Sequence, residues 1–440
     1  MKGPLNDLLL GAIVVCLSAC RASSEPLPEP PRYPNPNMKP VAADGKLKVF
    51  ILSGQSNMEG KAAIGTLDAV INYPDTHDQF KHLKPDGKWL VRDDVYVTYL
   101  CRQGLPEGGS NYGPLTVGFG SFKRNKADRN KPFRCIGPEL GIGMLLGDYY
   151  EDPVLLIKTA WGSKSVKHNF LPPSAMPSDE EIRAKHEEIM QRYAAAKKRF
   201  EGAQKRYEAA KAEGKKAGRR PKEPRVPPDY ETYKASFGAY YGKILEEYEK
   251  VIGDIKTYVP GYDVAKGYDL AGFVWFQGWN DGCSGSPRYT ELMAHFIKDT
   301  RKALNTPDLP FVIGELGVDG LEPIKWVATF RKQQAAIAAL PEFKGAVRFA
   351  RTAHCQYRSP YDMTEKWKEF QRLAKINAAK PKDDPTYVRR FFDDQWVKKY
   401  ARELAFTSDK RYHYGGSGRT YYEMGLSMGN AMVELLKSAE

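Results

Sequence analysis

The 440-residue sequence lacks the patterns of several common classes of protein. It has six cysteines but no CxxC pair and no Cys/His cluster, which argues against a structural zinc site. No basic run alternates with aromatic residues and no helix-turn-helix signature occurs, which argues against nucleic-acid binding. No long apolar segment of the kind that covers lipase active sites is visible. Globular enzymes and binding proteins remain, because 42% of the residues are hydrophobic and can form a sizeable core.

Positive charge exceeds negative charge by 13, and most of the excess lies between residues 183 and 225. Such a lysine- and arginine-rich stretch is typical of a solvated helical face and its loop. Residues 178–252 as a whole predict a helical hairpin inserted between the second and third core strands, and residues 362–400 form a smaller charged segment. Insertions into surface connections cost little stability. We therefore expect one domain with insertions over residues 46–440.

The N-terminus has the pattern of a secretion signal. Lys2 precedes an apolar stretch over residues 8–19, which is too short to span a bilayer comfortably. The stretch ends in LSAC, similar to the bacterial lipobox, in which the cysteine (here Cys20) is lipidated; an ordinary signal peptide is the alternative. We expect a lipoprotein signal peptide over residues 1–20, a Pro-rich tether over 21–45, and a membrane-anchored protein of the bacterial cell envelope, periplasmic or on the surface.

Four cysteines remain if Cys16 is removed with the signal peptide and Cys20 carries lipid. An oxidising cell envelope would let two of the four form a disulfide, although spacing alone does not give the pairing. The four are Cys101, Cys135, Cys283 and Cys355.

Short apolar runs alternate with segments of helical periodicity along the rest of the chain. The runs predict buried strands at 48–55, 152–160, 271–278, 309–317 and 346–352. Helical patterns cover 138–150, 289–304, 329–340 and 421–438. This alternation predicts an α/β fold, a parallel sheet covered by helices on both faces.

Polar clusters follow three of the predicted strands, where sites form in open parallel sheets. Ser56 comes directly after the first strand and is a candidate nucleophile or a simple helix N-cap. Gly162 follows the second strand and is a candidate oxyanion donor or a turn glycine. Gln277 lies at the end of the third strand and Asn280 follows it, as site residues or as parts of a structural network.

A serine nucleophile needs a base, usually a histidine that a carboxylate orients. Of the seven histidines, His413 lies in a glycine-rich loop before the last helix, four residues after Asp409. His354, which follows an apolar strand, is the alternative base.

Together these blocks resemble the SGNH hydrolases of the sialate O-acetylesterase and carbohydrate esterase family six kind. Residues 54–57 read GQSN, as the nucleophile block of that family does, and Gly162 matches the second block. Residues 278–281 match the GxND third block and follow the family's WxQG. The final block normally places Asp three residues before His, and the ordered set runs from residue 54 to His413.

The resemblance implies a flavodoxin-like three-layer α/β/α sandwich and ester hydrolysis without metal or cofactor. Ser56 would attack the acyl carbon, and His413 would take and return the proton. The oxyanion would be held by the backbone N–H groups of Ser56 and Gly162 and by the Asn280 amide. The residues implied to contact the substrate are Gln55, Asn57 and Gln277.

The orienting acid is open, because Asp409 stands four residues before His413 instead of three. Asp281, or no acid at all, is the alternative. A non-catalytic glycan-binding protein of the same fold and another SGNH esterase or lipase are the competing functions.

The substrate implied by the resemblance is an acetyl ester of sialic acid or of a polysaccharide. Aromatic residues flank the blocks and suit stacking on sugar faces, although core packing explains most of them. These residues are Trp161, Trp275, Trp279, Tyr412 and Tyr414.

Overall fold

The computed structural model describes residues 45–102, 111–123, 133–214, 218–357 and 401–439. The predicted signal peptide, Cys20, nearly all of the predicted tether and the charged segment at 362–400 lie outside these residues and stay predictions. Within the described ranges, no helix is both long and apolar enough to cross a membrane.

Seven of the described strands form one sheet, and six of these run parallel. The strands are β1 (Leu47–Gly54), β2 (Ala62–Ala63), β3 (Arg92–Thr98), β4 (Tyr112–Leu115), β5 (Phe122–Lys123), β6 (Phe133–Ile136), β7 (Val154–Ala160), β8 (Tyr268–Phe276), β9 (Phe311–Gly314) and β10 (Val347–Ala350). The sheet order is β10-β9-β8-β1-β7-β3-β4, with β4 antiparallel to β3 at one edge. A small antiparallel sheet has the order β2-β6-β5.

Helices fill most of the connections between these strands. They are α1 (Ser56–Glu59), α2 (Ile64–Asn72), α3 (Pro74–Phe80), α4 (Glu139–Tyr149), α5 (Asp179–Ala212), α6 (Tyr230–Ala235), α7 (Ala239–Ile252), α8 (Ile255–Tyr258), α9 (Trp279–Cys283), α10 (Tyr289–Ala303), α11 (Lys325–Ala338), α12 (Ala401–Ala405) and α13 (Gly418–Ala439).

Both faces of the main sheet are covered, as β8 illustrates. Successive strand side chains point to opposite faces. Phe273 and Trp275 contact Phe296 of α10 on one face, with ring centroids 5.9 and 4.6 Å apart. On the other face a Cβ added at Gly272 would lie 2.6 Å from the Met432 side chain of α13. The fold is therefore the three-layer α/β/α sandwich that the motifs implied.

Two strands of the main sheet, β3 and β4, were not predicted, and the sequence of β3 was passed over because it is charged. β3 begins with Arg92, which is fully buried and pairs with Asp94 and Asp148. Neutralisation by two carboxylates lets a guanidinium enter the core, whereas periodicity alone assigns such a residue to the surface. The predicted strand at 309–317 is shorter than expected, since β9 ends at Gly314.

The charged insertion lies between β7 and β8. Its first helix, α5, has 34 residues and begins with a capping box formed by Ser178 and Glu181. Ile182 is the one buried residue along α5. The helix therefore owes little to core packing, and the insertion returns to the sheet through α7, which buries one apolar face.

The cysteines in the described part of the chain form no disulfide. The pairing that an oxidising compartment would allow among Cys101, Cys135, Cys283 and Cys355 is therefore not present.

Candidate active site

Ser56 begins α1 at the carboxyl end of the central strand. The parallel register places Gly54 beside Ala160 of β7 and Phe276 of β8. Gly54 has a φ of 153°, and an added Cβ would lie 2.2 Å from the Phe276 carbonyl oxygen. Only glycine fits this close approach, and it lets the chain turn directly from the strand into α1.

The hydroxyl and the backbone N–H of Ser56 are open to a ligand in the described part of the structure. Ser56 is 8% exposed, and neither its hydroxyl nor its backbone N–H has a hydrogen-bond partner among the described residues. The first N–H groups of a helix have no partner within the helix, so the Ser56 N–H is available to an oxyanion. A hydrogen bond from the Ser56 hydroxyl to His413 is not formed in this structure; such catalytic contacts often tighten only when substrate binds.

Gln55 fixes the orientation of Asn280. Its Nε2 donates to Asn280 Oδ1 at 3.1 Å, and its Oε1 accepts from the backbone N–H groups of Gly278 and Asn280 at 3.2 and 3.4 Å. Asn280 lies in the first turn of α9, immediately after β8. Because Gln55 holds the Asn280 carbonyl oxygen, the Nδ2 group is the end of that amide left to donate to a ligand.

Gly162 makes a contact that bears on its predicted role. Its N–H donates to Glu59 Oε1 at 3.0 Å, and Glu59, the last residue of α1, also pairs with Lys61. In this structure the Gly162 N–H is therefore engaged by a carboxylate where an oxyanion was expected. Sequence reasoning missed Glu59, and the signal that points to it is its position two residues after the GQSN block.

A buried ion pair supports the turn that carries Ser56. Lys158 of β7 lies 2.6 Å from Glu139 Oε2, and both side chains are buried. The same ammonium donates to the carbonyl oxygens of Glu59 and Phe119 at 3.0 and 2.9 Å. Lys158 thus ties the last turn of α1 to the core.

His413 and Asp409 meet despite their unusual spacing. His413 Nδ1 lies 3.0 Å from Asp409 Oδ2. Tyr414, Gly415 and Gly416 have φ values of 52°, 66° and 63°, so the chain coils in the left-handed sense just after the histidine. The backbone N–H of Asp409 donates to the Gly415 carbonyl at 2.8 Å, which closes the loop and lets a separation of four residues form the contact.

Contacts on two sides hold this loop at the carboxyl edge of the sheet. The Ser408 hydroxyl accepts from the N–H of Ala63 in β2 at 3.0 Å. On the other side, Arg411 Nε lies 2.6 Å from Asp319 Oδ1, and the Gly317 N–H donates to the Tyr414 hydroxyl at 3.1 Å. The loop is thereby anchored between β2 and the segment that follows β9.

Asp281, the alternative acid, is buried and bonded elsewhere. Its Oδ2 accepts from the Val166 N–H at 2.8 Å and from Gln277 Nε2 at 2.7 Å, and its Oδ1 accepts from the Lys167 N–H at 3.3 Å. Burial raises the pKa of the Asp281 carboxyl above its ordinary value, in opposition to these hydrogen bonds. Asp281 of α9 therefore holds the segment after β7 through hydrogen bonds from the Val166 and Lys167 N–H groups.

The predicted substrate contacts lie below the surface. Gln55, Asn57 and Gln277 are 1%, 2% and 2% exposed. Gln277 Nε2 donates to the Lys164 carbonyl at 3.0 Å, and Asn57 Oδ1 accepts from the Tyr421 hydroxyl at 3.3 Å. A substrate would have to replace bonds within the protein to reach these amides, so their geometry favours a positioning role.

The alternative base, His354, has a different environment. It lies in a short turn after β10, with Nε2 3.5 Å from the Cys355 sulfur, and burial lowers its pKa. Among the residues that the structure describes, no group of three or more His, Cys, Asp or Glu is arranged to hold a metal ion.

Residues 238–354 match the model of a protein family described as carbohydrate esterase, sialic acid-specific acetylesterase. This segment is therefore similar to carbohydrate esterases over about a quarter of the chain. The match agrees with the resemblance to sialate O-acetylesterases that the motifs gave. The matched segment includes Asn280 and Asp281 but neither Ser56 nor His413.

Two solved structures are similar over most of this chain, both at 13% identity and a TM-score of 0.35. One is a protein from Arabidopsis thaliana, with 72% of this chain and 89% of that chain covered. The other is described as a novel carbohydrate acetylesterase from Xanthomonas citri, with 70% of this chain and 51% of that chain covered. No curated protein sequence matches the chain.

Proposed function

We propose that the protein removes acetyl groups from a carbohydrate by a serine mechanism, with Ser56, His413 and Asp409 as the catalytic triad. The observation that carries this proposal is the contact of 3.0 Å between His413 and Asp409. The loop that holds both residues is hydrogen-bonded to Ala63, which lies seven residues after Ser56 in the sequence. A carboxylate at one ring nitrogen fixes the tautomer in which the other nitrogen accepts a proton.

The reaction proceeds in two halves. His413 accepts the hydroxyl proton as Ser56 Oγ bonds to the acetyl carbon, and the sugar oxygen leaves with that proton when the ester C–O bond breaks. Water then attacks the acetyl-serine, gives its proton to His413 and releases acetate as the serine regains a proton.

Two donors are ready for the oxyanion. The Ser56 N–H has no hydrogen-bond partner in the part of the chain that the structure describes, and Gln55 directs the Asn280 amide nitrogen away from itself. Each such donor is typically worth roughly 3 to 4 kcal/mol in barrier height. The Gly162 N–H becomes a third donor only when it leaves Glu59.

Ser56→Ala tests the proposal directly. We expect it to abolish acetate release from p-nitrophenyl acetate, because no other group supplies the attacking oxygen. Ser438→Ala, which removes an exposed hydroxyl near the end of α13, is the control and should retain full activity. Full activity of the Ser56→Ala protein would show that the mechanism is wrong.

A glycan-binding protein without catalysis is the second candidate. It is favoured by the engagement of Gly162 with Glu59 and by the missing Ser56–His413 hydrogen bond. A folded wild-type protein that binds acetylated glycans but releases no acetate from them or from p-nitrophenyl acetate would establish this function instead.

A further inference from the structure

Three aromatic side chains from separate elements meet beside His413. Trp279 begins α9, Trp326 lies in the first turn of α11, and Tyr412 directly precedes His413. The Trp279 ring centroid is 5.2 Å from that of Trp326 and 5.5 Å from that of Tyr412. The Tyr412 ring lies 4.4 Å from the His413 ring. A continuous aromatic surface, called here the aromatic platform (Trp279, Trp326 and Tyr412), therefore extends from the proposed base.

The platform lies at the surface, unlike the other aromatic residues that flank the motifs. Trp161, Trp275 and Tyr414 are buried in the core, so packing accounts for them. Tyr412 is 40% exposed, and Trp279 and Trp326 are half-buried. Exposed contiguous apolar surface next to a catalytic group commonly marks a binding site.

The surrounding chain is built to hold the platform in place. A Cβ added at Gly282 would lie 2.8 Å from the Trp326 ring, so the glycine lets the indole pack against α9. The Arg411–Asp319 ion pair joins the loop of Tyr412 to the segment that precedes Trp326. The charged pair also gives the apolar surface a polar rim.

We propose that the aromatic platform binds the apolar face of a pyranose ring in the glycan that carries the scissile acetyl group. A sugar ring has C–H faces that suit aromatic rings and hydroxyl edges that can hydrogen-bond to the charged Arg411–Asp319 rim, whereas an aliphatic acyl chain has no polar group to offer that rim. The adjacent Asn280 and His413 place the acetyl group beside the bound ring. This inference rests on the proposed esterase function and names the part of the substrate that the enzyme recognises.

The experiment compares sugar acetates with an acetate that has no sugar. Wild type, Trp326→Ala and Tyr412→Ala are assayed on p-nitrophenyl acetate, 9-O-acetyl-N-acetylneuraminic acid, acetylated xylo-oligosaccharides and acetylated glucomannan. We expect kcat/KM of the wild type to be higher for at least one sugar acetate than for p-nitrophenyl acetate. Each variant should lower the ratio of these two values by about tenfold, equivalent to about 1.4 kcal/mol, with most of the change in KM for the sugar.

Tyr112→Ala is the matched control, because Tyr112 is also 40% exposed but lies on the edge strand β4, at the opposite end of the sheet from β9 and β10. It should leave the ratio unchanged. A wild type that prefers p-nitrophenyl acetate to every sugar acetate, or platform variants whose ratio equals that of the wild type, would overturn the inference and leave the esterase proposal standing. Failure of the wild type to hydrolyse any acetate would instead refute the esterase function.

Discussion

The loop that carries Asp409 and the turn that carries Asp281 place two carboxylates at the same edge of the sheet, in opposite environments. Asp409 reaches outward to His413 from a loop coiled by three residues of positive φ. Asp281 is buried and accepts three hydrogen bonds from Val166, Lys167 and Gln277. Asp409 therefore contacts a histidine whose charge changes in the proposed mechanism. Asp281 instead connects the segment after β7 to the turn after β8.

The different environments of Asp409 and Asp281 show that a residue's position in a sequence motif does not by itself define its role in the site. Asp281 lies within the GxND block and directly follows Asn280, yet its acceptor sites are taken by the frame. Asp409 departs from the family's spacing, yet the loop brings it to the histidine. The comparison predicts that loss of Asp409 affects the chemical step, whereas loss of Asp281 affects stability.

Asp409→Asn should have the largest effect. We expect kcat for p-nitrophenyl acetate to fall roughly ten thousand-fold, since a neutral amide favours the wrong tautomer of the base. KM should remain nearly unchanged, and circular dichroism should show the native fold. A loss of less than about tenfold, together with an inactive His413→Ala protein, would mean that the histidine works without this acid.

Asn280→Ala tests whether Asn280, next to the structural Asp281 in the GxND turn, acts in the proposed chemical step. Because the variant removes one of the proposed oxyanion donors, we expect kcat to fall by about 100-fold to 1,000-fold with little change in KM. Asn430→Ala, an exposed asparagine on α13, is the control. An Asn280→Ala protein with unchanged kcat would show that the oxyanion is held by other donors.

The sequence predicts the core of the fold well because parallel strands are buried on both faces and appear as apolar runs. It also proposes Ser56, His413 and both candidate acids as site residues from their position after strands or before the last helix, and these remain predictions. It does not predict β3, whose buried arginine depends on partners more distant in the chain, such as Asp148. Nor does it show the positive φ of Tyr414, a residue type that rarely adopts it, on which the Asp409 contact depends.

The hydrogen bond between Glu59 and Gly162 is a further contact that the sequence does not predict, here at the candidate site. The two residues lie on different motif blocks, and their contact exists only because β1 and β7 are neighbours in the sheet. A motif names a residue type at a position, whereas the partner of each polar group is decided by the three-dimensional arrangement. Sequence reasoning therefore identifies candidate donors better than it identifies which donors are available.

Asp281→Asn should mainly reduce stability. The side-chain amide would place an NH₂ group against N–H donors that now meet a carboxylate, so we expect the free energy of unfolding to fall by about 1 to 3 kcal/mol. Urea denaturation measures this change, and the exposed Asp78→Asn serves as the control. Under conditions where the variant is folded, kcat for p-nitrophenyl acetate should fall less than tenfold. A far larger loss in the folded variant would make Asp281 the catalytic acid.

The pH dependence of stability gives the smallest and most specific test of the Asp281 environment. Burial raises the pKa of this carboxyl above its ordinary value of 3.8, so the folded state holds the proton more tightly than the unfolded state does. The resulting stabilisation is complete below the unfolded-state pKa and is lost as the pH rises through the folded-state pKa. The stability advantage of the wild type over Asp281→Asn should therefore be largest near pH 4 and shrink toward pH 8, because the amide does not titrate. Urea denaturation of both proteins across this range measures the trend. An advantage that instead grows with pH would mean that the hydrogen bonds from Val166, Lys167 and Gln277 outweigh the cost of burial, and that the clamp is held by the carboxylate anion.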